Sequence, residues 1–200
     1  MSRTLVIDCA TEACSVALFD GDTLVAGDFR VLGRGHAERL VPMIAALPDR
    51  GRAARIAVDV GPGSFTGIRV GLAAAKALAL AWDAEVVGYG ALALVCAMAR
   101  TGCGEADVAA AMTGGHGQWF VGEVDVLSLR PEHAARSVTA AVVAGSQAEA
   151  LVALRGFGNA RPMLPDARRF DVLDPLALIA EPRPAYGRGP DARLPTASAA

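Results

Sequence analysis

The chain has little of what the commonest functional signatures require. Aromatic residues make up 5% of its 200 residues although 53% are hydrophobic, so the core must be built from Ala, Val and Leu. Lysine occurs once, at Lys76, and arginine supplies the other basic side chains; with the high Ala and Gly content this reads as genome composition, not function. A net charge of -2 gives no electrostatic reason for strong nucleic-acid or membrane binding by this chain alone. The four cysteines, Cys9, Cys14, Cys96 and Cys103, show no C-x-x-C spacing and read as buried, reduced thiols of a cytoplasmic protein. His36, His116 and His133 are scattered without metal-ligand spacing. The amino-terminal apolar run is too short for a signal peptide. The longest apolar stretch, 70–82, is interrupted by Lys76 and is expected to fall short of a membrane span. Repeats of solenoid length are lacking.

What is present is an alternation of short apolar runs and amphipathic segments, on a length that suits one domain or two small lobes. "TLVIDCA" (4–10) reads as a buried strand. "CSVALFD" (14–20) and "TLVAGDFRVL" (23–32) flank the turn signal "DGDT", which makes a three-stranded antiparallel unit. In 36–47, Leu40, Met43, Ile44 and Leu47 recur at i, i+3, i+4 and i+7, an amphipathic helix. Pro42 inside it predicts a kink, or a helix that starts in earnest at the proline. A strand at 55–60, a long helix at 66–82, a strand at 85–90 and a helix at 91–100 follow. "TGCGE" (101–105) marks a lobe boundary. Beyond it lie strands near 107–113 and 118–127, a helix at 146–155 and a helix at 175–181 capped by Asp174. The end, 187–200, reads as a docked or disordered tail.

Between strand 55–60 and helix 66–82 stands "GPGSFTG" (61–67). A Walker-type loop needs GxxxxGK followed by Ser or Thr. Here Thr66 follows Gly61 by five and Ile68 follows Gly63 by five, with no lysine, and Pro62 removes a backbone donor. Two readings stay open. Free N–H groups at the helix start can bind an anion, or Ser64 or Thr66 caps the helix and the glycines permit a tight turn. Along the helix, Gly67, Gly71, Ala75 and Ala79 form one row of small residues that lets another helix approach closely. The row is either buried inside this chain or meets a partner helix from a second chain. Asp8 ends the first strand and Thr11 follows, which suits a metal-bound phosphate or a plain turn acid. Ser64 lies in no GxSxG motif. Glu38 and Asp59 have no partner pattern that marks them as general bases, and Arg168 with Arg169 reads as a solvated basic spot.

"IDCATEACSVAL" (7–18), "GHAERLVPMI" (35–44), "GPGSFTGIRVG" (61–71) and "PAYGR" (184–188) occur in the order and approximate spacing of the TsaB family, formerly YeaZ. The chain resembles that family closely over its first ninety or so residues, and by element order thereafter. The resemblance implies an α/β, two-lobe actin/Hsp70/sugar-kinase-like fold with an RNase-H-like core in each lobe and a reduced second lobe, divided as 1–102 and 103–200 with a flexible tail. It implies a part in making N6-threonylcarbamoyladenosine at position 37 of ANN-decoding tRNAs, as a non-catalytic subunit. The expected partners are a TsaD-like catalytic subunit and a TsaE-like ATPase, with a homodimer when alone and tRNA met only through the complex, away from membranes.

Neither a catalytic residue nor a metal or cofactor is expected. The metal-binding histidine pair of TsaD would sit on a helix, and "HAERL" after Gly35 has no second histidine four residues on. By resemblance the partner interface uses the first two helices, through Arg39, Leu40, Met43, Gly67, Arg69, Val70, Gly71, Ala74 and Ala75. Asp8, Thr11, Gly63 and Ser64 are the expected anion or nucleotide contacts. Where relatives read something like "DARRGEVY", this chain has "TGGHGQWFV" (113–121), without the acid and arginine. The alternative function is an active ATPase or phosphotransferase of the same fold using Asp8 and Thr11; a peptidase has no nucleophile to support it.

Overall fold

The structure, a computed structural model, describes residues 3–104, 107–123 and 126–187, apart from the side chains of 103 and 123–134. Strands β1 (Arg3–Asp8), β2 (Ala13–Asp20) and β3 (Thr23–Val31) are followed by α1 (His36–Ala45), β4 (Arg55–Asp59), α2 (Phe65–Trp82), β5 (Glu85–Tyr89) and α3 (Ala91–Cys103). The second half contains β6 (Val108–Gly115), β7 (Gln118–Glu123), β8 (Val126–Pro131), β9 (Val142–Ala144), α4 (Ala148–Arg155) and β10 (Asn159–Arg161).

Two five-stranded sheets result, ordered β3-β2-β1-β4-β5 and β10-β9-β6-β7-β8. In the first, β1 pairs antiparallel with β2 and parallel with β4. In the second, β6 pairs antiparallel with β7 and parallel with β9. The two halves thus repeat one topology. The second copy is reduced: a 3-10 turn at Glu132–Ser137 stands where the first has α1, and α4 has 8 residues against 18 in α2.

Strand periodicity sends alternate side chains to opposite faces of the first sheet. Leu5, Ile7, Val16 and Leu18 meet Leu40, Met43 and Ile44 of α1 and Ile68, Leu72 and Ala75 of α2. Val6, Ala17, Phe19, Val87 and Tyr89 meet Leu94 and Ala97 of α3 on the other face. The same helix turns Leu92, Val95, Cys96 and Ala99 toward Val108, Ala110, Met112 and Phe120 of the second sheet. Helix α3 is therefore shared, and fastens the two lobes through one apolar layer.

The chain then returns. Ala167, Phe170, Val172 and Leu173 pack into the face of the first sheet that α3 covers, Ala167 N–H donates to Ser15 Oγ at 2.9 Å, and Ala185 N–H donates to the Val60 carbonyl at 2.7 Å. Residues 166–187 thus complete the first lobe, whereas the sequence reading assigned everything beyond 102 to the second. The helix expected at 175–181 is a single 3-10 turn, Pro175–Ala177, with Asp174 accepting from Leu176 N–H as expected of a cap. Ile179 instead bridges Gly88 at the edge of β5. Arg168 is not merely solvated: it pairs with Asp166 at 2.7 Å and lies over the Phe29 ring. The expected tail beyond Gly187 lies outside the described residues.

Helix α1 does not wait for its proline; it starts at His36 and contains Pro42. Helix α2 is long and apolar enough, by length and composition, to cross a membrane, which the broken run 70–82 had not suggested. Here its row Gly67, Ile68, Gly71, Leu72 and Ala75 is buried, in the core it shares with β1 and β4. A Cβ on Gly67 would collide with the Cys9 carbonyl oxygen, whereas one on Gly71 would sit 3.5 Å from Val58 Cγ2, an ordinary contact. Gly67→Ala is expected to lose about 1–3 kcal/mol by overpacking. Gly71→Ala should be neutral or gain up to about 1 kcal/mol from helix propensity. Urea unfolding of the two variants checks the contrast.

Candidate functional site

A cleft of about 810 Å³ opens between the lobes. One wall is the β1–β2 loop (Ala10, Thr11, Glu12), another the segment Gly33–Glu38 at the start of α1, and a third the run Pro62–Gly67 at the start of α2. Met112, Thr113, Gly114, Gly115 and Phe120 close it from the second lobe. Two helices therefore begin at the cleft, with their positive dipole ends toward it. Helix α1 has no side-chain cap, and Glu38 in its first turn offsets its dipole. Helix α2 is capped by Ser64, whose Oγ accepts from Gly67 N–H at 3.2 Å.

Of the four expected anion contacts, the structure brings Thr11, Gly63 and Ser64 to the cleft wall. Thr11 Oγ1 accepts from Ala13 N–H at 3.1 Å and so holds its own loop. Asp8 is not with them. It is fully buried and accepts from the Tyr89 hydroxyl at 3.0 Å. The register that pairs Ile7 with Val58 sets Asp59 beside it, one step further along two parallel strands. Asp59 Oδ1 accepts from Gly61 N–H at 2.7 Å. Burial first, then the Asp59 charge, pushes the Asp8 carboxyl well above its usual range. Burial likewise pushes Asp59 up to about 7, against the backbone N–H groups that favour its ionised form. Asp8 Oδ1 and Asp59 Oδ2 are buried without a hydrogen-bond partner, and the nearness of the two carboxyls favours the protonated form of Asp8.

The expected partner-facing residues divide in two. Leu40, Met43, Gly67, Gly71 and Ala75 are buried in the first lobe's own core, so the row of small residues serves this chain's sheet, not a second helix. The reason is the close approach of α2 to the backbone at Cys9. Arg39 and Arg69 are exposed, and Val70 and Ala74 half-buried. Arg69 Nε donates to the Tyr186 hydroxyl at 2.8 Å, and its guanidinium lies over the Phe65 and Tyr186 rings. Sequence reasoning missed that stack, as well as the pairing of Asp8 with Asp59. It also missed the outward face of α1 and α2, where Val41 is 62% and Leu80 89% exposed beside exposed Ala37, Ala45, Ala73 and Ala77. His36 is buried with Nε2 3.2 Å from the Ala13 carbonyl, His116 takes a left-handed turn conformation, and the His133 side chain lies outside those described. Among the described residues, no group of three or more His, Cys, Asp or Glu could hold a metal ion.

The family model for TsaD, tRNA N6-adenosine threonylcarbamoyltransferase, matches residues 30–153, well over half of the chain. The threonylcarbamoyladenosine biosynthesis protein TsaB of Escherichia coli K12 is 41% identical over 95 residues, 45% of this chain. Solved YeaZ from Pseudomonas aeruginosa superposes with a TM-score of 0.73 at 27% identity, covering 86% of this chain and 90% of that one. The chain belongs to this family, in its TsaB (YeaZ) branch. The matched stretch is 41% of the Escherichia coli protein's length. The ethanolamine utilization protein EutJ of Carboxydothermus hydrogenoformans, TM-score 0.51 at 11% identity over 87% of this chain and 90% of its own, shares the fold alone. Together with the repeated sheet topology, these likenesses make the two-lobe actin-like α/β architecture that of this TsaB-family chain.

The acid pair has a consequence for stability. Asp59 keeps its proton in the folded chain up to about 7 and loses it at an ordinary carboxylate pH when unfolded. Its contribution is thus complete in acid and is lost as pH rises toward neutrality. Asp59→Asn, whose amide can donate to Asp8 and accept from Gly61, should flatten that fall. The variant is expected to match the parent near pH 4, where both states of the parent hold the proton, and to exceed it near pH 8, as read by urea unfolding at each pH.

Proposed function

We propose that this chain serves tRNA threonylcarbamoyladenosine biosynthesis as a non-catalytic scaffold, holding a TsaD-like catalytic subunit through the outward face of α1 and α2. The observation that carries the reading is that face. Val41 and Leu80 stand out of it, 62% and 89% exposed, on a background of exposed alanines with Arg39, Arg69 and Lys76 around them. Large apolar side chains exposed on two neighbouring helices mark a docking surface. The family membership supplies the pathway, and the likeness between this chain's family and TsaD suggests a pseudo-symmetric pair. In the same reading, a TsaE-like ATPase joins that pair, tRNA is met only by the assembly, the chain self-associates when alone, and the setting is the cytoplasm.

A second reading, an ATPase or phosphotransferase, is favoured by the cleft itself, with two helix starts on its wall. The state of Asp8 argues against it. A metal-phosphate site needs an ionised acid facing the cleft, and this one is buried, bonded to Tyr89 and paired with Asp59.

Val41→Arg and Leu80→Arg change exposed side chains and should leave the melting temperature within a few degrees. Each is expected to weaken the complex with a TsaD-like protein at least about tenfold, since docking would bury an arginine charge without a partner. Mixing followed by size measurement and a threonylcarbamoylation assay checks this; undiminished association and modification would refute the assigned face. ATP turnover by the purified chain, abolished in Asp8→Ala, would favour the second reading instead.

A further inference from the structure

Cys9 and Cys14 close the neck of the β1–β2 hairpin. The ladder pairs Asp8 with Ser15, and one step further the register sets Cys9 opposite Cys14. Their Sγ atoms are 3.5 Å apart, and both residues are buried. The loop they enclose, 10–13, carries Thr11 and Glu12 to the cleft wall. Opposed residues of antiparallel strands have Cα atoms roughly 4.5–5.5 Å apart, inside the range of roughly 4.4–6.8 Å that a disulfide spans. Closing the bond therefore needs the sulfurs to approach by roughly 1.5 Å, which side-chain rotation supplies without moving a strand.

We propose that Cys9 and Cys14 form a redox modification site, a dithiol that a small peroxide converts to a disulfide stapling the base of the cleft loop. The chemistry balances with hydrogen peroxide as oxidant. The Cys14 thiolate attacks one peroxide oxygen, giving a sulfenic acid and, with one proton, water. The Cys9 thiol then attacks the Cys14 sulfur, expels the sulfenic hydroxyl as a second water and completes the S–S bond. Two thiols lose two electrons and one peroxide gains them.

The two thiols are not equivalent. The hydrogen bond from Cys9 lowers the Cys14 thiol, and the same bond, with burial, pushes Cys9 far up. Cys14 is thus the attacking sulfur and Cys9 the resolving one. Cys96 is on α3, its thiol raised by burial to about 11, and is a poor competitor. Burial also selects the oxidant. Hydrogen peroxide is neutral and close to water in size, so a small opening of loop 10–13 admits it, while bulky thiols and disulfides stay out.

The test uses the full chain, reduced, desalted and exposed to hydrogen peroxide, then alkylated with N-ethylmaleimide in denaturant. Trypsin leaves Cys9 and Cys14 in one peptide, 4–30, because Arg3 and Arg30 are the cleavage sites around them. The expected result is loss of two hydrogens from that peptide, loss of two alkylations, and reversal by dithiothreitol. Cys9→Ser should stop at the Cys14 sulfenic acid, trapped by dimedone, while Cys14→Ser should abolish oxidation of the peptide. Both are near-isosteric, and circular dichroism checks their folding; the peptide map of the parent chain decides the matter even if they do not fold. Alkylation of both cysteines at peroxide levels that oxidise Cys96, or disulfides joining other cysteines instead, overturns the proposal.

Discussion

The first lobe is organised around a contact with no side chain in it. The start of α2 lies directly on the backbone of the β1–β2 loop, Gly63 against the Ala10 carbonyl and Gly67 against the Cys9 carbonyl. Ser64 N–H donates to that same Ala10 carbonyl at 2.7 Å. A methyl group at either glycine would lift the helix off the strand. The approach fixes where α2 begins, and so where its N-terminus meets the cleft. It also fixes which side of α2 turns inward. Once Gly67, Gly71 and Ala75 are committed to the sheet, Ala73, Ala77 and Leu80 must face away from it, because the helical period leaves no choice.

That contact also explains where sequence reasoning succeeded and where it stopped. The hairpin, the two parallel strands and the helices of the first lobe show in alternation and periodicity because each is longer than its own period. The Ser64 cap shows because its chemistry is local. The small-residue row also shows, but spacing by four says only that something comes close. It does not say whether the neighbour is a partner helix or a strand of the same chain. In so alanine-rich a chain, the outward row around Leu80 looks no different from the inward one. Strands β9 and β10, of 3 residues each, are too short to carry a period at all. The segment 175–181 has a good cap and apolar residues, yet Pro182 and Pro184 stop a helix, and the edge of β5 offers Ile179 a backbone partner.

The pairing of Asp8 with Asp59 was out of reach for a related reason. The two acids are 51 positions apart, and the parallel register of β1 and β4 makes them neighbours. The return of residues 166–187 is equally non-local. Ala167, Phe170 and Leu173 are ordinary apolar residues until Val6, Phe19 and Tyr89 provide a surface for them. Such contacts fasten the lobes twice, once through α3 and once through the returning segment. Gly187 ends the described chain where a Cβ would press on the Phe120 ring and approach Pro62, so the second crossing reaches the rim of the cleft itself.

The two halves share a topology but not a balance of parts, and the imbalance bears on function. A repeat of β-strands with equal helices on both copies would leave two similar outer faces. Here the second copy has a 3-10 turn and an 8-residue helix where the first has α1 and an 18-residue α2. Among the described residues, the broad two-helix outer layer is therefore found in the first lobe, together with the exposed Val41 and Leu80. The buried acids point the same way. Asp8 is buried beside Asp59 with its carboxyl pushed well above its usual range, which favours the protonated form where a cation ligand needs the ionised one. In this chain the strand end that a phosphotransferase would turn toward its cleft is turned into the core. What the first lobe presents outward is a helical surface with Val41 and Leu80 on it, while the strand end that carries Asp8 lies in the core.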